Sequence, residues 1–124
     1  MSPAAWLAFV VASAVGAPVR YLVDAAIGDR ARGAFPWGTF VVNVTGSLLL
    51  GFLTGLALYH GFPKTPRLVL GTGFCGAYTT FSTHTFETVR LLEDGAAPEA
   101  ALNALGTLGA GLAAAALGLA LATL

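Results

Sequence analysis

Two rows of uncharged polar side chains carry the chemistry this chain can do. Thr39, Asn43 and Ser47 recur at i, i+4 and i+8, and Asn103 and Thr107 repeat the spacing, with Gly111 continuing the line. On a helix this spacing stacks side chains on one face. Amides and hydroxyls donate hydrogen bonds without a fixed charge, so such a row can replace water around a small anion passing along it. The same residues also serve as ordinary glue between membrane helices. Spacing alone leaves both readings open.

A third region is denser. Gly71-Thr-Gly-Phe-Cys-Gly-Ala-Tyr-Thr-Thr-Phe-Ser-Thr-His-Thr-Phe-Glu87 holds three glycines followed by a run of hydroxyls. Glycine weakens a helix, and Ser and Thr compete for backbone hydrogen bonds. The composition predicts a local break, with freed carbonyls that suit a hard cation such as Na+. An intact helix packed closely at its glycines is the alternative. No enzyme constellation appears. Ser82 and His84 lie two apart, on different helix faces, so they are not a nucleophile–base pair. His60 and His84 lack thiol partners for zinc, and the single cysteine, Cys75, excludes an internal disulfide.

The elements that position these rows follow from charge. Of the 124 residues only 10% are charged, against about 25% in soluble domains. Residues 1–19, 33–63, 68–86 and 100–124 carry no charge, and each stretch is near or above the length of about 20 residues that crosses hydrocarbon. The reading is a single all-α integral membrane domain over 1–124, with helices at about 3–27, 37–60, 67–92 and 99–123 and the third broken near its middle. The connections are too short for a soluble domain, and so small a chain is expected to work as a subunit of an oligomer. Residues 1–17 lack the Lys or Arg of a signal n-region and are read as a retained first helix. Trp37 and Tyr59 sit as interfacial aromatics, and Arg20 and Asp24 as a pair one turn apart near an interface. Gly51-Phe-Leu-Thr-Gly55 reads as a small-residue packing face. Zero net charge points to no nucleic acid. Arg20, Arg30, Arg32 and Arg90 fall on one side of the membrane, and Lys64 and Arg67 on the other. This weak bias accommodates a subunit that inserts both ways round, and equally one with a fixed orientation.

Three segments carry a resemblance. Gly16-Ala-Pro-Val-Arg20-Tyr, Trp37-Gly-Thr-Phe-Val-Val-Asn43-Val-Thr-Gly-Ser and Gly73-Phe-Cys-Gly-Ala-Tyr-Thr-Thr-Phe-Ser-Thr resemble the CrcB/Fluc fluoride channels, in order and across all four helices. The resemblance implies an antiparallel, dual-topology dimer, either a homodimer or a heterodimer with a homologous chain. It implies passive export of fluoride from the cytoplasm across the bacterial inner membrane, relieving fluoride toxicity. It implies a structural Na+ at the dimer interface, on the backbone carbonyls of Gly76 and Thr79. Asn43 matches the family's pore asparagine, Phe81 the first of two pore phenylalanines, Arg20 a vestibule arginine, and Asn103 and Thr107 the polar track of the fourth helix. Three positions depart. His84 stands where the second phenylalanine falls, Gly111 where a hydroxyl is common, and Asn103 where an aromatic can occur. Either His84 acts in the pore as a donor, or a homologous partner supplies the intact pore.

A pore for a small, strongly hydrated anion needs donors that replace its water without holding it too tightly. Lys and Arg are absent from every charge-free core, as that requires. Two rivals come from other classes. A small dual-topology multidrug exporter needs a membrane-embedded carboxylate in its first helix, and residues 1–19 contain none. A non-conducting membrane assembly subunit would explain the glycines and polar residues as packing, and predicts no anion flux.

Overall fold

A computed structural model describes all 124 residues as an all-helical bundle without strands. Helix α1 spans Pro3–Arg30 and α2 spans Trp37–His60. The third crossing is made of two pieces, α3 over residues 64–78 and α4 over Ser82–Glu93. Helix α5 spans Ala97–Leu121. Three of these, α1, α2 and α5, are long and apolar enough to cross a membrane, with mean hydropathy of 1.6, 1.8 and 1.8. Neither α3 nor α4 is long enough to cross alone.

Local chemistry sets the ends. Ser2 caps α1 by accepting from the Ala5 N–H at 3.1 Å, with Pro3 in the first helical position, where its missing N–H does no harm. Gly61 closes α2 in the left-handed conformation, φ 65°, which glycine adopts without strain. The third crossing begins at Lys64 rather than at Arg67. Pro66 lies within its first turn, where no intrahelical donor is needed.

The predicted break is present. Thr79 adopts extended backbone, φ −77° and ψ 160°, and the helix resumes at Ser82. Two stretches have wide, π-type turns: Leu68–Cys75, leading into the break, and Leu102–Gly106, around Asn103. Such turns recur at functional sites.

Packing runs opposite to that of a soluble protein. Large apolar side chains such as Trp6, Leu7, Val10, Leu105 and Leu112 lie outside. The largest fully buried side chains are Val42, Asn103, Thr39 and Cys75. In lipid, burying leucine between helices gains little, whereas small residues let backbones approach. Helices α2 and α5 form the main seam on this basis. A Cβ at Gly51 would strike the Ala115 backbone, and one at Gly118 would strike Leu48 and Phe52. Gly55 meets Ala122 in the same way, so the small-residue pattern on α2 is packing. His60 and the Ala122 carbonyl close the seam with a 2.6 Å hydrogen bond. Gly16 lets α1 onto α3, where a Cβ would meet the Phe74 carbonyl and Ala77. The result is a small-residue core with hydrophobic faces turned outward, the arrangement of a membrane protein.

Candidate functional site

One open cleft dominates the molecule, with a volume of about 680 Å³. Helix α2 contributes Asn43, Gly46, Ser47 and Leu50 to its wall. The broken crossing contributes Thr72, Cys75, Gly76, Thr79, Thr80, Phe81 and His84, and α5 contributes Thr107, Leu108, Gly111 and Leu112. Uncharged donors from three elements therefore face one space, with no Lys, Arg, Asp or Glu on its wall.

The break is held from the side by Asn43. Its Nδ2 donates to the Thr80 carbonyl at 2.8 Å, and its Oδ1 accepts from the Thr80 N–H at 2.8 Å. In an unbroken helix the Thr80 N–H would bond the Gly76 carbonyl four residues back. Asn43 takes that donor instead. The neighbouring carbonyl is freed in the same manner, because the Thr83 N–H bonds the Thr80 hydroxyl at 3.2 Å instead of the Thr79 carbonyl. Neither the Gly76 nor the Thr79 carbonyl receives any of the turn, loop or side-chain hydrogen bonds of this region. Both residues line the cleft, and Gly76 is exposed, with open space where a Cβ would lie. Side chains thus leave two carbonyls of cleft-lining residues without their helical donors, oxygen ligands of the kind that fit a hard cation. No group of three His, Cys, Asp or Glu side chains gathers elsewhere to hold a metal.

Tyr78 anchors the other flank of the break. Its ring is buried and stacks on Phe74, with centroids 5.6 Å apart, and its hydroxyl lies 2.9 Å from that of Thr45. A Cβ at Gly46 would collide with Thr79 and press on the Tyr78 ring, so glycine is what lets α2 lie against the break. Phe81 projects from the far side, 78% exposed, with its ring centroid 6.4 Å from that of His84. The His84 Nδ1 is buried without a hydrogen-bond partner.

The structure does not bring every expected site residue to the cleft. Asn43, Ser47, Phe81, His84, Thr107, Gly76 and Thr79 are on its wall; Arg20, Thr39 and Asn103 are not. Thr39 is buried beside Arg20, Asp24 and Thr83 around a separate small cavity. Positions i and i+4 are offset by about 40° on a 3.6-residue helix, so the row from Thr39 to Ser47 turns out of one space into another. Arg20 Nε and Thr39 Oγ1 are buried there without hydrogen-bond partners, and Glu87 Oε1, outside the wall of that cavity, is buried without one as well. Asn103 is 0% exposed and is engaged between α4 and α5. Its Nδ2 donates to the Thr88 hydroxyl at 2.8 Å and to the His84 carbonyl at 3.4 Å. Its Oδ1 accepts from Thr107 at 3.1 Å. Thr107 joins the two sides, lining the cleft while bonding to Asn103.

Residues missed in the sequence lie on the same wall. Thr80 acts through its backbone, which side-chain spacing does not reveal. Ala104, Leu108, Leu112 and Ala115 complete the α5 face. Extending the Thr107–Gly111 line by helical spacing finds them.

The chain matches known proteins over most of its length. The family described as CrcB-like protein, Camphor Resistance (CrcB), matches residues 7–119. The chain is 50% identical over 110 residues to "Fluoride-specific ion channel FluC 1" of Streptomyces avermitilis, covering 89% of each protein. It is 50% identical to the protein of the same description from Frankia casuarinae, over 94% of this chain and 95% of that one. Against that of Symbiobacterium thermophilum it is 51% identical, over 94% and 95%. With the family match spanning nearly the whole chain and half the residues shared with these relatives, this all-helical membrane protein belongs to the CrcB family.

Proposed function

We propose that this chain forms a fluoride-selective channel that lets fluoride leave the bacterial cytoplasm passively across the inner membrane, relieving fluoride toxicity. The observation that carries the reading is the cleft, where amide, hydroxyl and ring-edge donors from three helical elements face one space without a fixed charge. A small hydrated anion needs its water replaced, and neutral donors do this without trapping it. The names of the relatives supply the ion.

In this reading the cleft is one face of a larger path. The cleft is open, and a second copy or a homologous chain laid antiparallel against it would enclose it. Asn43, Ser47, Phe81, His84 and Thr107 form the wall that fluoride passes, and Arg20 sits toward the aqueous vestibule. Thr39 and Asn103 support that wall from behind. The released carbonyls of Gly76 and Thr79 would hold a structural Na+ at the dimer interface. Bound there, the cation would supply positive charge to carbonyls that have lost their helical donors. The protein's own contribution is to keep those carbonyls free, through Asn43 and the Thr80 hydroxyl. The function is transport, not chemical conversion, and the whole chain serves it as one domain.

The test is purified protein in liposomes loaded with fluoride or chloride salts, read with ion-selective electrodes. Fluoride is released far faster than chloride if the reading holds. Equal rates for the two halides remove the selectivity, and no release from this chain, alone or with a homologous chain, removes the channel.

A further inference from the structure

We infer that the backbone of Thr80 fixes the polarity of the Asn43 amide, so that the end Asn43 turns to the cleft is an N–H rather than its carbonyl oxygen. The inference rests on the channel reading above and concerns how the site rejects cations.

A primary amide carries a donor end and an acceptor end of nearly equal shape. Free to turn about its side-chain torsion, it can serve either sign of ion. Asn43 is not free. Its oxygen accepts from the Thr80 N–H and its nitrogen donates to the Thr80 carbonyl, each at 2.8 Å. Turned over, the amide would set its NH₂ against an N–H and its oxygen against a carbonyl. Both hydrogen bonds would become contacts between like groups. Amide orientation is often ambiguous in structures, but here the backbone partners decide it, because an N–H and a C=O cannot exchange roles.

The pairing uses the oxygen and one of the two protons on Nδ2. The second proton lies on the edge turned away from Thr80, and Asn43 lines the cleft. That N–H is therefore the donor left for a passing ion, while the remaining lone pair of Oδ1 lies on the Cβ side of the amide. Asn103, the only other side-chain amide in the chain, has both ends engaged inside the bundle. An intact third helix could not provide the lock, since Thr80 would direct its N–H and C=O along its own axis. The break that frees the Gly76 carbonyl for a cation is thus the same feature that turns Asn43 into an anion donor.

The experiment uses the intact protein, labelled with ¹⁵N at the asparagine side chains, in lipid vesicles by solid-state NMR. Only two NH₂ groups contribute. The pair lost in Asn43→Ser belongs to Asn43; if that variant does not fold, the pair lost in Asn103→Ser assigns it by difference. The two Asn43 protons are expected to differ. The proton bonded to Thr80 exchanges with D₂O slower by about tenfold or more and ignores added fluoride. Its geminal partner shifts with fluoride and not with sodium or potassium chloride. Equal exchange of the two protons overturns the lock. So does the absence of any fluoride-dependent shift in a preparation that releases fluoride in the efflux assay. A preparation that releases no fluoride removes the channel reading itself, so the two failures are distinct.

Discussion

Asn43 and Asn103 each stand in a row of polar residues at helical spacing, and the bundle treats them in opposite ways. Asn43 lines the open cleft, with two hydrogen bonds to one backbone residue and an N–H to spare. Asn103 is wholly buried against Thr88, Thr107 and the His84 carbonyl. The first holds a broken backbone apart beside a space an ion can enter. The second joins α4 to α5. A polar residue within a membrane span therefore marks either a path or a joint, and what separates them is which side of the bundle it faces.

Substitutions can break or sharpen this contrast. Asn43→Asp removes the N–H from the cleft and sets a carboxylate against the Thr80 carbonyl. Fluoride efflux from liposomes is expected to fall by about a hundredfold, the scale for losing a donor aimed at an anion. Near-parental flux would place Asn43 among the joints. Asn103→Leu leaves the Thr107 hydroxyl without its acceptor and removes the donor to Thr88, whose hydroxyl keeps only the His84 carbonyl, and is expected to lower stability by about 1–3 kcal/mol. Denaturation in detergent measures this. Flux per folded molecule stays near the parental value, and a drop to the level of Asn43→Asp would erase the contrast.

Smaller effects are expected along the wall. Phe81→Ile removes an exposed ring edge, slowing efflux by roughly three- to tenfold while assembly on size exclusion is unchanged. Parental flux from an intact assembly would take Phe81 out of the path. His84→Phe is the mildest. The ring already pairs with Phe81, so flux stays within about threefold of the parent or rises above it. A collapse of flux in this variant would show that the imidazole is required.

Much of this was legible in the residues. The charge-free stretches located the crossings, because hydrocarbon excludes charge regardless of tertiary detail. The Gly71–Glu87 composition located the break, because glycine and hydroxyl residues act on the backbone within their own turn. The side each polar residue faces was less legible. Thr39 and Ser47 share a spacing row but occupy different cavities, since the row drifts around α2 and the neighbours that divide it come from distant segments. Asn103 matched the track on the fourth helix, yet its amide turns inward to Thr88, a partner fifteen residues earlier on another helix. Thr80 was invisible as a site residue because what it contributes is an N–H and a C=O, which every residue but proline carries.

The wide turn over Leu102–Gly106 has a consequence for chain length. A ring closed from i to i+5 encloses one more residue than the ordinary helical ring. Deleting one residue there would tighten the turn and leave the segments on either side where they are. The same deletion a turn or two further on would rotate everything beyond it by about 100° and carry Gly118 away from Leu48 and Phe52. Helix α5 thus has a place where its length can change without dismantling the seam it forms with α2.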